Sequence, residues 1–153
     1  AAALVTGPRL LIADEPVSML DVSIRADILR LLNDLRRRRG ISILFITHDL
    51  ATAALFADRV AVMYLGRIVE IGTTEAVMQA PQHPYTRALL SVMPSISRRG
   101  RERIVLQGET PNPAAIPPGC RFHPRCPLAD EACRATDPRL EPKGDRMVAC
   151  IKA

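Results

Sequence analysis

Residues 10–16, Leu-Leu-Ile-Ala-Asp-Glu-Pro, carry an apolar run that ends in two adjacent carboxylates. An apolar run without alternation is typical of a strand buried on both faces of a parallel sheet. Charges cannot lie inside such a sheet, so we expect Asp14 and Glu15 just beyond its C-terminal edge, where open α/β sheets bind ligands. Two carboxylates there suit a bound cation and an activated water, as in nucleotide hydrolysis. The alternative is an acidic strand end that makes surface salt bridges.

A second strand is predicted over residues 41–46, and Thr-His-Asp follows it directly. Between the two strands, apolar residues at helical spacing predict a helix, with Asp21 as its N-cap and Gly40 at its end. A strand, a crossover helix and a strand form a βαβ unit, so the two strands should be parallel. This arrangement places His48 on the same rim as Asp14 and Glu15, as the polar end of a phosphate site.

These residues resemble the second half of an ABC-transporter nucleotide-binding subunit. Residues 10–15 resemble its Walker B strand and the glutamate that follows, residues 18–21 resemble its D-loop, and His48 resembles its switch histidine. Residues 83–90, His-Pro-Tyr-Thr-Arg-Ala-Leu-Leu, are similar to a segment of oligopeptide and dipeptide importer ATPases. Residues 118–126 are similar to the C-terminal extension of that family.

The resemblance implies an α/β fold. We expect a partial P-loop, RecA-like ABC ATPase core with parallel strands, followed by a small, loop-rich, cysteine-containing C-terminal extension. The expected divisions are residues 1–94 for the C-terminal half of the nucleotide-binding domain, 95–104 for a polar, basic linker and 105–153 for the extension. Because the extension is dense in proline, we expect little regular helix or strand in it.

The resemblance also assigns roles to four residues of the rim. Asp14 binds Mg²⁺ and so contacts ATP, Glu15 polarises the attacking water, and His48 contacts the γ-phosphate. Asp21, in the D-loop, lies at the interface between two nucleotide-binding subunits, a role that is compatible with capping a helix. The implied cofactors are ATP and Mg²⁺, and phosphoryl transfer of this kind depends on positioning and charge neutralisation.

Two motifs of the resembled family do not occur in this sequence: the Gly-x-x-x-x-Gly-Lys-Ser/Thr loop and the Leu-Ser-Gly-Gly-Gln signature. We expect both upstream of Ala1, in a half of the subunit that precedes this chain. The chain starts without an initiator methionine, in keeping with a fragment. By itself it is expected to be inactive.

The four cysteines all lie in the last third of the chain, at Cys120, Cys126, Cys133 and Cys150. Structural zinc sites use more closely spaced pairs, disulfides suit oxidising compartments, and iron–sulfur clusters tolerate wider spacing. Nearby basic residues favour thiolates. Because some members of the resembled family carry a [4Fe–4S] cluster on such an extension, we expect that cluster on these four thiols. Zinc and unliganded or redox-active thiols remain open, and His123 could replace one thiol.

The net charge of +5 and a pI near 9.5 permit nucleic acid or an anionic membrane surface as a partner. Aromatic content of 3% leaves little for base stacking, so no nucleic acid is expected. No apolar run approaches the roughly 18 residues that span a bilayer.

The resemblance instead implies an ATP-hydrolysing subunit that energises peptide import, peripheral to the cytoplasmic face of the inner membrane. Its implied partners are transmembrane permease subunits, a second ATP-binding subunit and, indirectly, an extracytoplasmic substrate-binding protein. The alternatives are an importer ATPase for nickel or another solute, a soluble ABC ATPase outside transport, and a basic, metal-stapled nucleic-acid-binding module.

Overall fold

The computed structural model describes residues 2–93, 103–109 and 111–153. The chain divides into two compact units, Ala1–Ala57 and Asp58–Ala153. Most of the predicted linker, residues 95–102, lies outside the described residues. No helix in the described ranges combines the length and apolar character that crossing a bilayer requires.

The first unit is a βαβ unit with one further helix. Strand β1 spans Leu10–Asp14, helix α1 Val22–Arg39, strand β2 Ser42–Ile46 and helix α2 Leu50–Phe56. A single 3₁₀ turn, Ala2–Leu4, precedes β1. Strands β1 and β2 pair in parallel, with Leu10 opposite Ser42 and Asp14 opposite Ile46. The predicted parallel pairing is therefore confirmed, and both strands end at one edge.

Both ends of α1 follow from local sequence signals. The Asp21 side chain accepts a hydrogen bond from Ile24 N at 3.0 Å, which satisfies one of the free N–H groups of the first turn. Gly40 ends the helix at φ 62°, a left-handed conformation that glycine adopts without steric cost. Arg36, Arg37, Arg38 and Arg39 fill the last turn, where positive charge complements the helix dipole.

The expectation that β1 is buried on both faces is wrong for this chain. Alternate residues of the two strands share one face, and on it Leu10, Ile12, Leu44 and Ile46 are 44–61% exposed. Ala13, on the opposite face, is buried. In the part of the chain that the structure describes, the sheet has only two strands and packs through one face.

The second unit is built on a four-stranded antiparallel sheet. Its strands are β3 (Arg59–Tyr64), β4 (Arg67–Thr73), β5 (Glu141–Lys143) and β6 (Arg146–Val148), in the order β3-β4-β6-β5. Helices α3 (Thr74–Gln79) and α4 (Pro84–Ser91) follow β4, and α5 (Glu131–Ala135) lies in the tail after a 3₁₀ turn, His123–Arg125. Leu65 and Gly66, both at positive φ, form the two-residue hairpin turn between β3 and β4.

The tail contains more regular structure than its proline content predicts. Its strand β6 pairs with β4, with Val148 opposite Glu70 and Met147 opposite Ile71. Pro142 lies in β5, the edge strand, where a missing N–H costs least. Described residues of the predicted extension are thus part of the same sheet as the preceding hairpin.

Aromatic and ionic contacts bury the tail against this sheet. The Phe122 ring is 1% exposed and packs on Tyr64 and Tyr85, with ring centroids 5.2 and 5.3 Å away. Arg146 Nη1 lies 3.5 Å from Glu70 Oε1 and donates to the carbonyls of Ala76 and Ala80 at 2.6 Å each. These buried contacts connect residues more than 60 positions apart in the sequence.

Candidate functional site

The acidic pair lies where the parallel sheet ends. Asp14 is the last residue of β1, and Glu15 follows at φ 46°, a left-handed conformation that is uncommon for a residue with a side chain. Glu15 N donates to Ile46 O at 2.9 Å, which extends the ladder by one bond. The Ser18 hydroxyl donates to Glu15 O at 3.0 Å, so both backbone polar groups of Glu15 are held. Backbone strain of this kind is concentrated at functional sites.

Glu15 and His48 meet at this edge, although 33 positions separate them. Glu15 Oε1 lies 2.6 Å from His48 Nδ1 and also accepts a hydrogen bond from His48 N at 3.1 Å. The His48 side chain is 79% exposed and that of Glu15 is 36% exposed. The predicted meeting of a carboxylate and an imidazole on one rim is observed, and the imidazole remains accessible to a ligand.

Asp14 immediately precedes Glu15 in the sequence and Asp21 follows it by six positions, and both aspartates are exposed. A carboxylate is a hard oxygen ligand of the kind that Mg²⁺ prefers, so Asp14 fits the predicted metal role chemically. The Asp21 side chain is engaged as the N-cap of α1. Its N-cap role is confirmed, whereas its predicted place at a subunit interface stays a prediction.

The sequence interpretation missed the residues that hold the loop on which His48 lies. Asp49 N-caps α2 by accepting bonds from Ala51 N at 2.9 Å and from Thr52 N at 3.3 Å. The Thr52 hydroxyl donates to Asp49 Oδ2 at 2.7 Å, and this bond is the main cause of a lowered pKa for Asp49. Arg25 also contacts this carboxylate, at 3.3 Å. Aspartate immediately before an apolar helical segment is a detectable N-cap signal, whereas no local pattern indicates Arg25.

The four cysteines line one cavity of the second unit, together with His83, Phe122 and His123. All four are free thiols. Cys120 N donates to Cys133 O at 2.9 Å, and the Cys133 amide is bonded to Asp130 Oδ1 at 3.1 Å. The prediction that these cysteines form a local cluster is therefore consistent with the geometry.

The predicted [4Fe–4S] cluster, however, is wrong. Among the described residues, no three His, Cys, Asp or Glu side chains are grouped so that they could hold a metal ion. Burial is the main cause of raised pKa values for Cys120 and Cys126, so their thiolates are disfavoured.

The basic residues that were expected to favour thiolates make other contacts. Arg121 donates to Leu65 O, and Arg125 donates to Gln107 O at 3.4 Å. His123 Nδ1 contacts the Cys120 carbonyl at 2.9 Å. The Phe122 ring of the tail packs against Tyr64 and Tyr85, and these two rings also contact each other.

Residues 69–133 match the family described as the C-terminal region of oligopeptide/dipeptide transporters. This range begins within β4 and ends within α5. It therefore covers the whole of both segments on which the family resemblance was based, residues 83–90 and 118–126.

Curated relatives match almost the whole chain. A putative peptide import ATP-binding protein of Brucella ovis is 51% identical over 99% of this chain and 49% of its own length. The dipeptide transport ATP-binding protein of Haemophilus influenzae is 51% identical, over 99% and 47%. The oligopeptide transport ATP-binding protein of Salmonella typhimurium is 47% identical, over 99% and 46%. The chain thus spans about half the length of these relatives, whose names describe ATP-binding proteins and give no support to an iron–sulfur cluster.

Proposed function

We propose that the chain is a member of the oligopeptide/dipeptide transporter family, whose C-terminal region matches residues 69–133, and that it forms part of an ABC ATPase subunit that energises peptide import. The names of the relatives support the substrate class, because each describes a peptide, dipeptide or oligopeptide ATP-binding protein. The observation that carries the proposal is the contact between Glu15 Oε1 and His48 Nδ1 at the edge of the parallel sheet.

In the proposed mechanism the Glu15 carboxylate orients the water that attacks the γ-phosphate. Its backbone is fixed on both sides, so the carboxylate can hold that water without a large loss of entropy. When both ring nitrogens of His48 carry a proton, Nδ1 donates to Glu15 and Nε2 can donate to a phosphate oxygen. The imidazole then stabilises the charge that develops on the transferred phosphoryl group.

Asp14 is proposed to hold Mg²⁺, which neutralises phosphate charge when it is bound. Asp21 is proposed to face a second ATP-binding subunit while it caps α1. The proposed partners are that subunit, transmembrane permease subunits and, indirectly, an extracytoplasmic binding protein. The proposed location is the cytoplasmic face of the inner membrane.

We propose that ATP is cradled by a phosphate-binding loop outside this sequence, so the 153-residue chain alone is inactive. Residues 1–94 are proposed to be part of a P-loop core, with 95–104 as a linker and 105–153 as an extension. The nucleic-acid alternative relied on a metal-stapled tail, and the described residues contain no group of three His, Cys, Asp or Glu side chains that could hold a metal ion.

The proposal is tested by Glu15→Gln in a full-length subunit that contains this chain. Removing the carboxylate that orients water should lower the ATP turnover rate by about 10²–10⁴-fold. Binding of radiolabelled ATP should persist, because Glu15 is not proposed to hold the nucleotide. Asp34→Asn, which removes an exposed carboxylate from α1, is the control and should leave turnover unchanged. Parental turnover in Glu15→Gln contradicts the proposal.

A further inference from the structure

Arg25 connects the two loops that carry the candidate site. It lies in the first turn of α1, and its Nη2 donates to Leu20 O at 3.3 Å. Its Nη1 donates to Asp49 Oδ2, also at 3.3 Å. Leu20 immediately precedes Asp21, and Asp49 immediately follows His48. One guanidinium therefore bonds the loop of residues 16–21 and the loop of residues 47–49.

The acceptor in the second loop is itself held in place. Asp49 Oδ1 accepts bonds from the amides of Ala51 and Thr52, and Asp49 N donates to Thr47 Oγ1 at 3.0 Å. The Arg25 and Asp49 side chains are 32% and 35% exposed, so water screens part of their attraction. The Arg25–Asp49 pair therefore fixes the relative position of the two loops more than it stabilises the fold. The planar guanidinium of arginine, with its several N–H donors, is suited to positioning.

We propose that Arg25 is a positioning residue that holds the His48 loop at a fixed distance from the loop that follows Glu15. This inference rests on the proposed ATPase function. His48 N donates to Glu15 Oε1, so a shift of the 47–49 loop displaces both the amide and the ring from that carboxylate. A displacement of about 1 Å in a reacting constellation can cost roughly 10²-fold in rate.

The kinetic test uses Arg25→Ala, Arg25→Lys and Asp49→Asn in a full-length subunit that contains this chain. Arg25→Ala should lower kcat for ATP hydrolysis by about 10–10²-fold and change KM by less than about twofold, because nucleotide contacts are retained. Asp49→Asn keeps a side chain favoured at the α2 N-cap but removes the charge, and it should have a similar effect.

Conservative and double variants separate positioning from folding. Lysine supplies the charge without the fork, so Arg25→Lys should recover only part of kcat. Combining Arg25→Ala with Asp49→Asn should lower kcat little further than either change alone, because both break one contact. Arg30→Ala is the matched control, because Arg30 lies on the same helix and forms an exposed ion pair with Asp27 at 2.8 Å. This variant should leave both kcat and KM unchanged. The inference is overturned if Arg25→Ala behaves like Arg30→Ala or raises KM alone.

Amide hydrogen exchange on the 153-residue chain separates failure of this inference from failure of the proposed function. Arg25→Ala should speed exchange of the His48 amide, whose acceptor is Glu15 Oε1, and leave the middle of α1 unchanged. An unchanged His48 amide overturns the inference even where ATP is hydrolysed. A parental full-length subunit that does not hydrolyse ATP overturns the proposed function, and exchange at His48 then decides the positioning role.

Discussion

Lowering the pH should destabilise this protein through one buried imidazole. His83 is 1% exposed and N-caps α4, where its Nδ1 accepts a hydrogen bond from Tyr85 N at 3.1 Å. Burial lowers the pKa of His83 from 6.5 to about 4, and the nearby Glu70 carboxylate opposes this effect only in part. Only the neutral ring has a lone pair on Nδ1 for the Tyr85 amide, so the native structure requires the neutral form.

The sign and size of the effect follow from the two pKa values. Because the folded pKa lies below the unfolded pKa, the unfolded chain binds more protons between pH 6.5 and about pH 4. The contribution is fully present above pH 6.5 and is lost as the pH falls toward 4. At 1.4 kcal/mol per pH unit, the shift corresponds to about 3 kcal/mol of unfolding free energy.

The assay is urea unfolding of the parental chain and of His83→Asn at several values between about pH 7 and pH 4.5. Asparagine is a favoured N-cap that does not titrate, so the variant keeps the capping function and loses the ionisation. The parental unfolding free energy should fall more steeply with pH than that of the variant, with the difference approaching about 3 kcal/mol. Parallel pH dependence in the two proteins refutes the role given to His83.

Two further predictions concern the packing of the tail, and urea unfolding measures both. Arg146→Met leaves the buried Glu70 carboxylate without its ionic partner and should cost about 3–5 kcal/mol. The control Arg67→Met breaks an exposed pair with Asp137 and should cost at most about 1 kcal/mol; equal costs contradict the buried role. Gly119→Ala places a methyl group against the Arg134 carbonyl at φ 67°, and it should cost at least about 2 kcal/mol more than Gly144→Ala, at φ 68° in open space. Equal destabilisation by these two substitutions rules out the steric explanation.

The βαβ unit could be predicted because its signals are local. Asp21 and Gly40 mark the two ends of α1, and apolar runs on either side mark the strands. The parallel pairing then follows from the length of the crossover, which brings His48 to the edge that carries Glu15. The burial of β1 could not be predicted in the same way, because it depends on what covers each face of the sheet.

The strands of the tail could not be predicted from its proline content, because strand β6 pairs with a strand that is distant in the sequence. Val148 pairs with Glu70 across nearly 80 positions, and no local pattern encodes that partner. The Lys-Gly-Asp sequence at 143–145, with Gly144 at φ 68°, was the available signal for the β5–β6 hairpin.

The cysteine spacing indicated which thiols lie near one another, but it did not establish a metal site. Whether a thiol is protonated, and whether it is placed to bind a metal, depend on its burial and on the groups to which neighbouring arginines donate. The spacing of cysteines in the sequence contains no information on either point. Arg25 was missed for a related reason, since its partners lie 5 and 24 positions away in the sequence.

A double-mutant cycle on Glu15 and His48 tests most directly whether the two residues act as one catalytic unit. ATP turnover is measured for a full-length subunit with Glu15→Gln, His48→Ala and both changes together. Groups that act on one transition state are strongly non-additive, so the double variant should turn over about as slowly as the more impaired single variant. The shared role is contradicted if the fold-loss of turnover in the double variant equals the product of the two single-variant losses. Parental turnover in either single variant also contradicts it.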